Sequence, residues 1–215
     1  MFKRFTVRKL VIAMSSASLL GFSHYAAAGA FQLWEQDGAS IGNYHAGIAA
    51  LAQDASTGYY NPAGLVMIKN QQAVFGSDIV DTDIRYHGTV NVDQLGNGPQ
   101  AVSVQGGGFN YIPDLHYAAP ISDNVVFGFS IVVPFGLKTN YGQDTPVRYA
   151  ATLSQIQVID FTPSLGVALS DKFSVGAGLD IEHMNGEFNQ FATVGGSAND
   201  TLSNNSGSDN AYGYH

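Results

Sequence analysis

From Val125 to Leu137 every second residue is apolar: Val125, Phe127, Phe129, Ile131, Val133, Phe135 and Leu137. The residues between them, Val126, Gly128, Ser130, Val132, Pro134 and Gly136, are smaller and mixed. Successive strand side chains point to opposite faces, so a uniform alternation predicts one greasy face and one small, mixed face. At about 3.3 Å per residue the run is roughly 43 Å long, and a tilt near 40° leaves about 33 Å of height, enough to cross a bilayer's hydrocarbon. Strands of water-soluble sandwiches usually stop at about 5 to 6 residues. The pattern therefore predicts a transmembrane β-strand.

Other strands follow the same logic. Ala73 to Tyr86 alternates weakly and forms a first strand, and a polar, Gly-rich loop follows from His87-Gly88 to about Asn110. Tyr111 to Ala119 makes the second, Val125 to Leu137 the third, and Gln155 to Leu169 the fourth, with Pro163 interrupting it. The fifth starts at Phe173, with Val175, Ala177, Leu179 and Ile181 opposed by Ser174, Gly176, Gly178, Asp180 and Glu182. After Gly186 a tract rich in Gly, Ser and Asn, reaching Asn210, reads as loop or disorder, and Ala211 to His215 as the start of a sixth strand. Pro120 to Asn124 and Ser170 to Lys172 are tight turns, whereas the other connections are long. Short turns on one side and long loops on the other are the habit of outer-membrane barrels. The fold class is thus all-β: an antiparallel transmembrane barrel of which residues 71–215 supply five to six strands. That number is too few to close a barrel, so the chain reads as part of a longer one.

The chain before residue 71 has a different texture. Lys3, Arg4, Arg8 and Lys9 precede the apolar stretch Leu10 to Phe22, and Ala26-Ala27-Ala28 offers a small-residue cleavage site, so residues 1–28 read as a secretory signal peptide. Residues 29–70 are rich in Ala and Gly, lack sustained alternation, and turn at Asn61-Pro62, which predicts short helical turns forming a plug. No segment approaches the roughly 18 uninterrupted apolar residues of a helical span.

Composition narrows the function. Only 12% of residues are charged, about half the usual share of a soluble domain. The charges of the first 28 residues are all basic, so the remainder is more acidic than the net −8 of the whole chain, which argues against nucleic acid as a partner. Without cysteine there is no disulfide, thiolate nucleophile or Cys-ligated metal. Gly38-Ala39-Ser40-Ile41-Gly42 matches the G-x-S-x-G nucleophile elbow, but the polar Leu33 to Asp37 is no buried strand to lead into it. Asp78, Asp81 and Asp83 lack the glycine and distal glutamate of a calcium loop and read as a solvated or lumen-facing row. The histidines are scattered, with no metal-ligand spacing. Gly106-Gly107-Gly108 lacks the helix and lysine of a phosphate loop. The expectation is no enzyme, no metal and no cofactor.

Two features remain. Pro134 stands inside the best strand although proline cannot donate to a ladder, and Gly136 follows with no side chain to fill the wall. This predicts a break in pairing, either an ordinary bulge or an opening in the wall that faces lipid. Asn61-Pro62-Ala63 lies just before the first strand and is by itself a turn.

Taken in order, several segments resemble the FadL family of outer-membrane transporters for long-chain fatty acids and other hydrophobic molecules. They are Gly29-Ala30-Phe31-Gln32-Leu33, Asp54-Ala55-Ser56-Thr57 with Asn61-Pro62-Ala63, Pro113 to Pro120, Phe135-Gly136-Leu137, and Phe173 to Gly178. The resemblance implies a 14-stranded barrel with an N-terminal hatch, in the outer membrane of a Gram-negative bacterium. It implies passive transport with lateral exit at an inward kink in strand three. By position, Phe31 and Leu33 would touch ligand, Asn61, Pro62 and Ala63 would hold the hatch by the kink, and Pro134, Phe135 and Gly136 would form the kink, with Gly136 marking it. Ala30 is an insertion relative to the family's Gly-Phe start. Partners would be long-chain fatty acids or other hydrophobic small molecules, with outer-membrane lipid around the barrel. Two alternatives stand beside this: an aromatic-hydrocarbon channel of the same family, and a structural or adhesive barrel.

Overall fold

The computed structural model describes residues 32–91, 98–193 and 200–215. The expected signal peptide and Phe31 lie outside the described residues. Six long strands form one antiparallel sheet in the order β1-β4-β5-β6-β7-β8: β1 (Gln72–Thr82), β4 (Gly108–Ser122), β5 (Val125–Asn140), β6 (Leu153–Ser170), β7 (Phe173–Thr193) and β8 (Asp200–Tyr214). A separate hairpin pairs β2 (Arg85–Asn91) with β3 (Pro99–Gln105). Two-residue turns, Asp123-Asn124 and Asp171-Lys172, join β4 to β5 and β6 to β7. No described helix is long and apolar enough to cross a membrane, which is silent on strands.

The sheet is greasy outside and polar inside, the reverse of a soluble sandwich and the arrangement of a membrane barrel. Phe75, Ile79, Phe109, Tyr111, Leu169 and Phe173 are exposed on the outer face. The buried inner face carries Asp114, His116, Ser130, Asp160, Thr162 and Ser164. Against this inner face lies the segment before β1, built of short turns: a 3-10 turn Ile41–Asn43, α1 (Ile48–Leu51), α2 (Thr57–Tyr60) and a 3-10 turn Pro62–Met67. Leu65 and Ala55, fully buried, pack with Ile68, Ala118 and Val126 as the core between segment and wall. Asp54 helps shape the approach by accepting both the N–H and the hydroxyl of Ser56, after which Ser56 and Thr57 are buried.

Three expectations need correction. The first strand ends at Thr82 rather than Tyr86, and the span from His87 to Asn110 is not a plain loop: it contains most of the β2–β3 hairpin and the start of β4. The tract from Gly186 to Asn210 is mostly strand, Glu187 to Thr193 pairing in register with Asp200 to Ser206. There the ladder of backbone hydrogen bonds holds polar residues extended without an apolar face. Pro163 interrupts the fourth strand as expected, but on one side only. It sits opposite Phe129 on β5, and only the β7 side skips its pairing, because the missing N–H matters on one neighbour alone. Finally, the alternation of β5 does not run on one face throughout. Val132 pairs with Asp160 but Phe135 with Val158, so Val133 and Pro134 together oppose one residue of β6. One extra residue reverses the faces of everything beyond it. Residues directly opposite share a face, so Phe135 and Leu137, opposite Val158 and Ile156, point inward while Phe127, Phe129 and Ile131 point outward.

Candidate functional site

The same bulge marks where β5 parts from β4. Their ladder runs from the turn up to Leu115 opposite Ile131 and stops. Beyond it, among the strands, Gly108 to Asp114 pair only with β1, and Val132 and Phe135 to Asn140 only with β6. The two strands meet again where the Asn140 N–H donates to the Gly106 carbonyl at 2.7 Å. Between these closures is a slot in the wall, about eight residues or 26 Å long at strand spacing.

Residues 32–38 cross this slot. Gln32 forms an antiparallel bridge with Phe135, and the Leu33 N–H donates to the Pro134 carbonyl at 2.8 Å, giving β5 a partner where β4 has left. Gln36 folds back, its side-chain amide donating to the Leu33 carbonyl. On the far side the segment meets β4: the Gln36 carbonyl lies 3.0 Å from His116 Nε2, and the Gly38 N–H donates to Asp114 Oδ1 at 3.0 Å. Gln36, Asp37, Asp114 and His116 are all buried. His116 Nδ1 is 2.9 Å from Ser130 Oγ on β5, below the slot. Asp114 lies over Gly76, its partner on β1; a Cβ there would sit 2.5 Å from Asp114 Oδ1. Any larger residue there would have to displace the Asp114 carboxylate.

The anticipated site residues separate into two places. Leu33 and the group Pro134, Phe135 and Gly136 meet at the slot. The bulge falls on Val133 and Pro134, so Gly136 does not mark it. Gly136 is already paired with Gln157, and its bare Cα makes room for Leu33, whose Cδ1 would be 3.0 Å from a Cβ. Asn61, Pro62 and Ala63 sit elsewhere, not by the kink. A Cβ on Gly166 would lie 2.5 Å from the Pro62 carbonyl, and one on Gly176 would overlap the Ala63 backbone nitrogen. Gly166 pairs with Val126 near the short turns, about 26 Å along β5 from Pro134. The close approach of Pro62 and Ala63 to the wall is instead explained by a glycine track, Gly128, Gly166 and Gly176, that lets backbone and Leu65 press against it. Asn61 Nδ2 also donates to the Ala49 carbonyl at 2.7 Å, tying α1 to the turn.

Ser40 has neighbours that resemble a catalytic pair but in the wrong order. Its hydroxyl is 2.7 Å from Asp37 Oδ2 and 2.6 Å from His45 Nδ1. One hydroxyl proton cannot serve both; donated to the carboxylate, it leaves the imidazole as donor and the serine unactivated. Among the described residues no strand precedes it, and the turn after it ends at Tyr44 in left-handed conformation. Asp78, Asp81 and Asp83 form no common row: Asp78 is half-buried beside Asp114, whereas Asp83 pairs with exposed Arg85. Asp37, Asp114 and His116 offer ligand atoms all within 4.8 Å of one another, a grouping that linear spacing hides because the segment and β4 are far apart in sequence.

Comparison with known proteins agrees with this architecture. Residues 19–215 match the family model described as "Outer membrane protein transport protein (OMPP1/FadL/TodX)". The chain is 27% identical to a long-chain fatty acid transport protein of Escherichia coli O6:H1 over 87% of its own length and 40% of the relative. It is 27% identical to outer membrane protein P1 of Haemophilus influenzae over 71% of its length and 36% of that protein. A crystal structure of a Pseudomonas aeruginosa FadL homologue superposes with a TM-score of 0.67 at 22% identity, covering 86% of this chain and 48% of that one. The chain therefore spans well under half the length of these curated relatives.

Proposed function

Since the chain belongs to the OMPP1/FadL/TodX family of outer membrane transport proteins, we propose that the protein it represents moves long-chain fatty acids or other hydrophobic molecules passively across the outer membrane and releases them sideways into lipid through the slot between β4 and β5. The observation that carries this reading is the loss of β4–β5 pairing beyond Leu115 and Ile131, at the bulge of Val133 and Pro134. A barrel wall normally satisfies every backbone group between neighbours. Leaving a stretch open and covering it with a short N-terminal segment is costly unless the opening has a use.

The direction of release follows from the cargo. An alkyl chain gains about 0.8 kcal/mol for each CH₂ kept out of water, so a route from lumen to lipid avoids the aqueous side altogether. Val132 and Ile112 are buried at the slot, while Phe109 and Tyr111 lie exposed on its outer lip, so apolar side chains flank the passage beside the polar contacts of Asp114 and His116. Residues 32–38 act as the cover, with Leu33 placed to meet cargo. The turns held at Asn61, Pro62 and Ala63 act as the fixed base of a hatch. The reaction has no chemistry: the family is one of transport proteins, not enzymes.

Deleting Val133 from the full-length protein tests the reading. It removes the extra residue, restores a single alternation through β5 and favours pairing past Ile131. Cells carrying the deletion, with the barrel assembled as shown by heat-modifiable gel migration, should take up labelled fatty acid at a rate near background. Uptake equal to wild type would refute lateral release.

A further inference from the structure

Where the covering segment meets β4, two carboxylates and an imidazole are shut away from water. Asp114 and His116 alternate on the inner face of β4, and Asp37 comes from the segment; all three are buried, and their ligand atoms lie within 4.8 Å. Among the described residues no lysine or arginine pairs with Asp37 or Asp114. Asp37 is partly satisfied by its own turn, through the Ala39 N–H and the Ser40 hydroxyl. Asp114 is not: Oδ1 accepts from Gly38, but Oδ2 is buried with no partner and points toward His116 Nε2, 3.9 Å away. A buried carboxylate oxygen without a donor or a cation is destabilising.

His116 supplies a way to fill this position. Its Nε2 faces two acceptors, the Gln36 carbonyl and Asp114 Oδ2. The 3.0 Å between Nε2 and the carbonyl fits an N–H donor, and it also fits two ligands of one ion, since metal–ligand bonds near 2.0–2.1 Å put neighbouring ligands roughly 3 Å apart. With an ion on Nε2 the ring keeps its proton on Nδ1 and donates it to Ser130 Oγ, the outer contact that orients metal-binding histidines.

We propose that Asp37, Asp114 and His116, joined by the Gln36 carbonyl, form a binding site for one divalent transition-metal ion of the Zn²⁺ type, which fastens residues 32–38 across the slot. One imidazole among oxygen ligands suits zinc, cobalt or manganese better than magnesium or calcium, which prefer all-oxygen shells. As the ion takes Nε2, the single proton of the neutral imidazole sits on Nδ1, so the ring itself releases none. Two ligands sit on the wall and two on the cover, so the ion bridges the fixed and the movable parts.

The test uses the full-length protein in detergent, stripped with EDTA, then titrated with Zn²⁺ while metal content is measured by mass spectrometry, and separately with Co²⁺ while visible absorbance is read. Wild type should take up one equivalent more than Asp114→Asn or His116→Gln and show a cobalt band that both variants lack. Ser130→Ala keeps every ligand and should bind about 10–100-fold more weakly; it decides the matter if the ligand variants fail to fold. Wild type that takes up no metal would overturn the site, as would uptake undiminished in the ligand variants or an unchanged affinity in Ser130→Ala.

Discussion

The backbone N–H of Leu33 donates to the Pro134 carbonyl at 2.8 Å, so a residue of the N-terminal segment stands beside β5 where β4 would otherwise run. The contact is made possible by two sequence features acting together. The bulge at Val133 and Pro134 turns the β5 edge away from β4, and Gly136 leaves a space that Leu33 enters.

Gly136→Val should therefore uncouple the segment from the wall. A Cβ would already be 3.0 Å from Leu33 Cδ1, and the added methyls of valine leave the leucine nowhere to rest. Backbone amides of 32–38 should exchange hydrogen much faster in the full-length variant, while β6 and β7 keep their protection. Unchanged exchange at Leu33 would show that the glycine is incidental.

The glycine track below predicts a different loss. Gly166→Val would drive a side chain into the Pro62 carbonyl and Leu65 Cβ, 2.5 Å and 3.0 Å from a Cβ. Overpacking of this kind costs about 1–3 kcal/mol, and it should fall on the segment rather than on the strands. Limited proteolysis should cut between residues 41 and 68 sooner than in wild type, with heat-modifiable migration retained.

How far these features can be read from sequence depends on what holds each residue. Strands β4 and β5 are legible because lipid on one side and a packed lumen on the other enforce alternation, as at Phe127, Phe129 and Ile131 against Gly128 and Ser130. A break at Pro134 is legible from its missing N–H, but the reversal of faces beyond it is not, because Val132, Val133 and Pro134 are all apolar and an extra residue leaves the pattern intact. Glu187 to Thr193 and Asp200 to Ser206 read as loop because their strand rests on mutual backbone pairing, to which Asn, Ser and Gly are indifferent. The polar node is invisible for another reason: Asp114 and His116 look like the solvated half of a strand until Gln36 and Gly38, on a distant segment, cover them.

Tyr60 offers a spectroscopic check on how dry the covered lumen is. Burial pushes its phenol well above the ordinary value of 10.0, with the Asp37 charge adding to the shift; Tyr59 is raised in the same direction, again mainly by burial. A phenol whose folded value is raised stays neutral while the unfolded chain ionises, so stability is full below pH 10 and declines as pH rises above it. Ultraviolet titration of phenolate in the full-length protein should lose its latest-ionising component in Tyr60→Phe. Ionisation of that component at the ordinary pH in wild type would mean the segment is open to water.

If residues 32–38 are the movable cover, tying them to β5 should stop release. Gln32 and Phe135 form the bridge, and the flanking bond from Leu33 to Pro134 makes them a non-hydrogen-bonded pair, whose Cα atoms lie about 4.5 Å apart. That separation falls within the roughly 4.4–6.8 Å a disulfide spans. The sequence contains no cysteine, so Gln32→Cys with Phe135→Cys adds the only pair available in this part of the protein. Oxidised, the double variant should assemble and yet take up labelled fatty acid at background rate; reductant should return uptake to the level of the single variants. Transport that proceeds at full rate through the crosslinked protein would place the exit elsewhere, since a cover fixed to Phe135 cannot clear the slot.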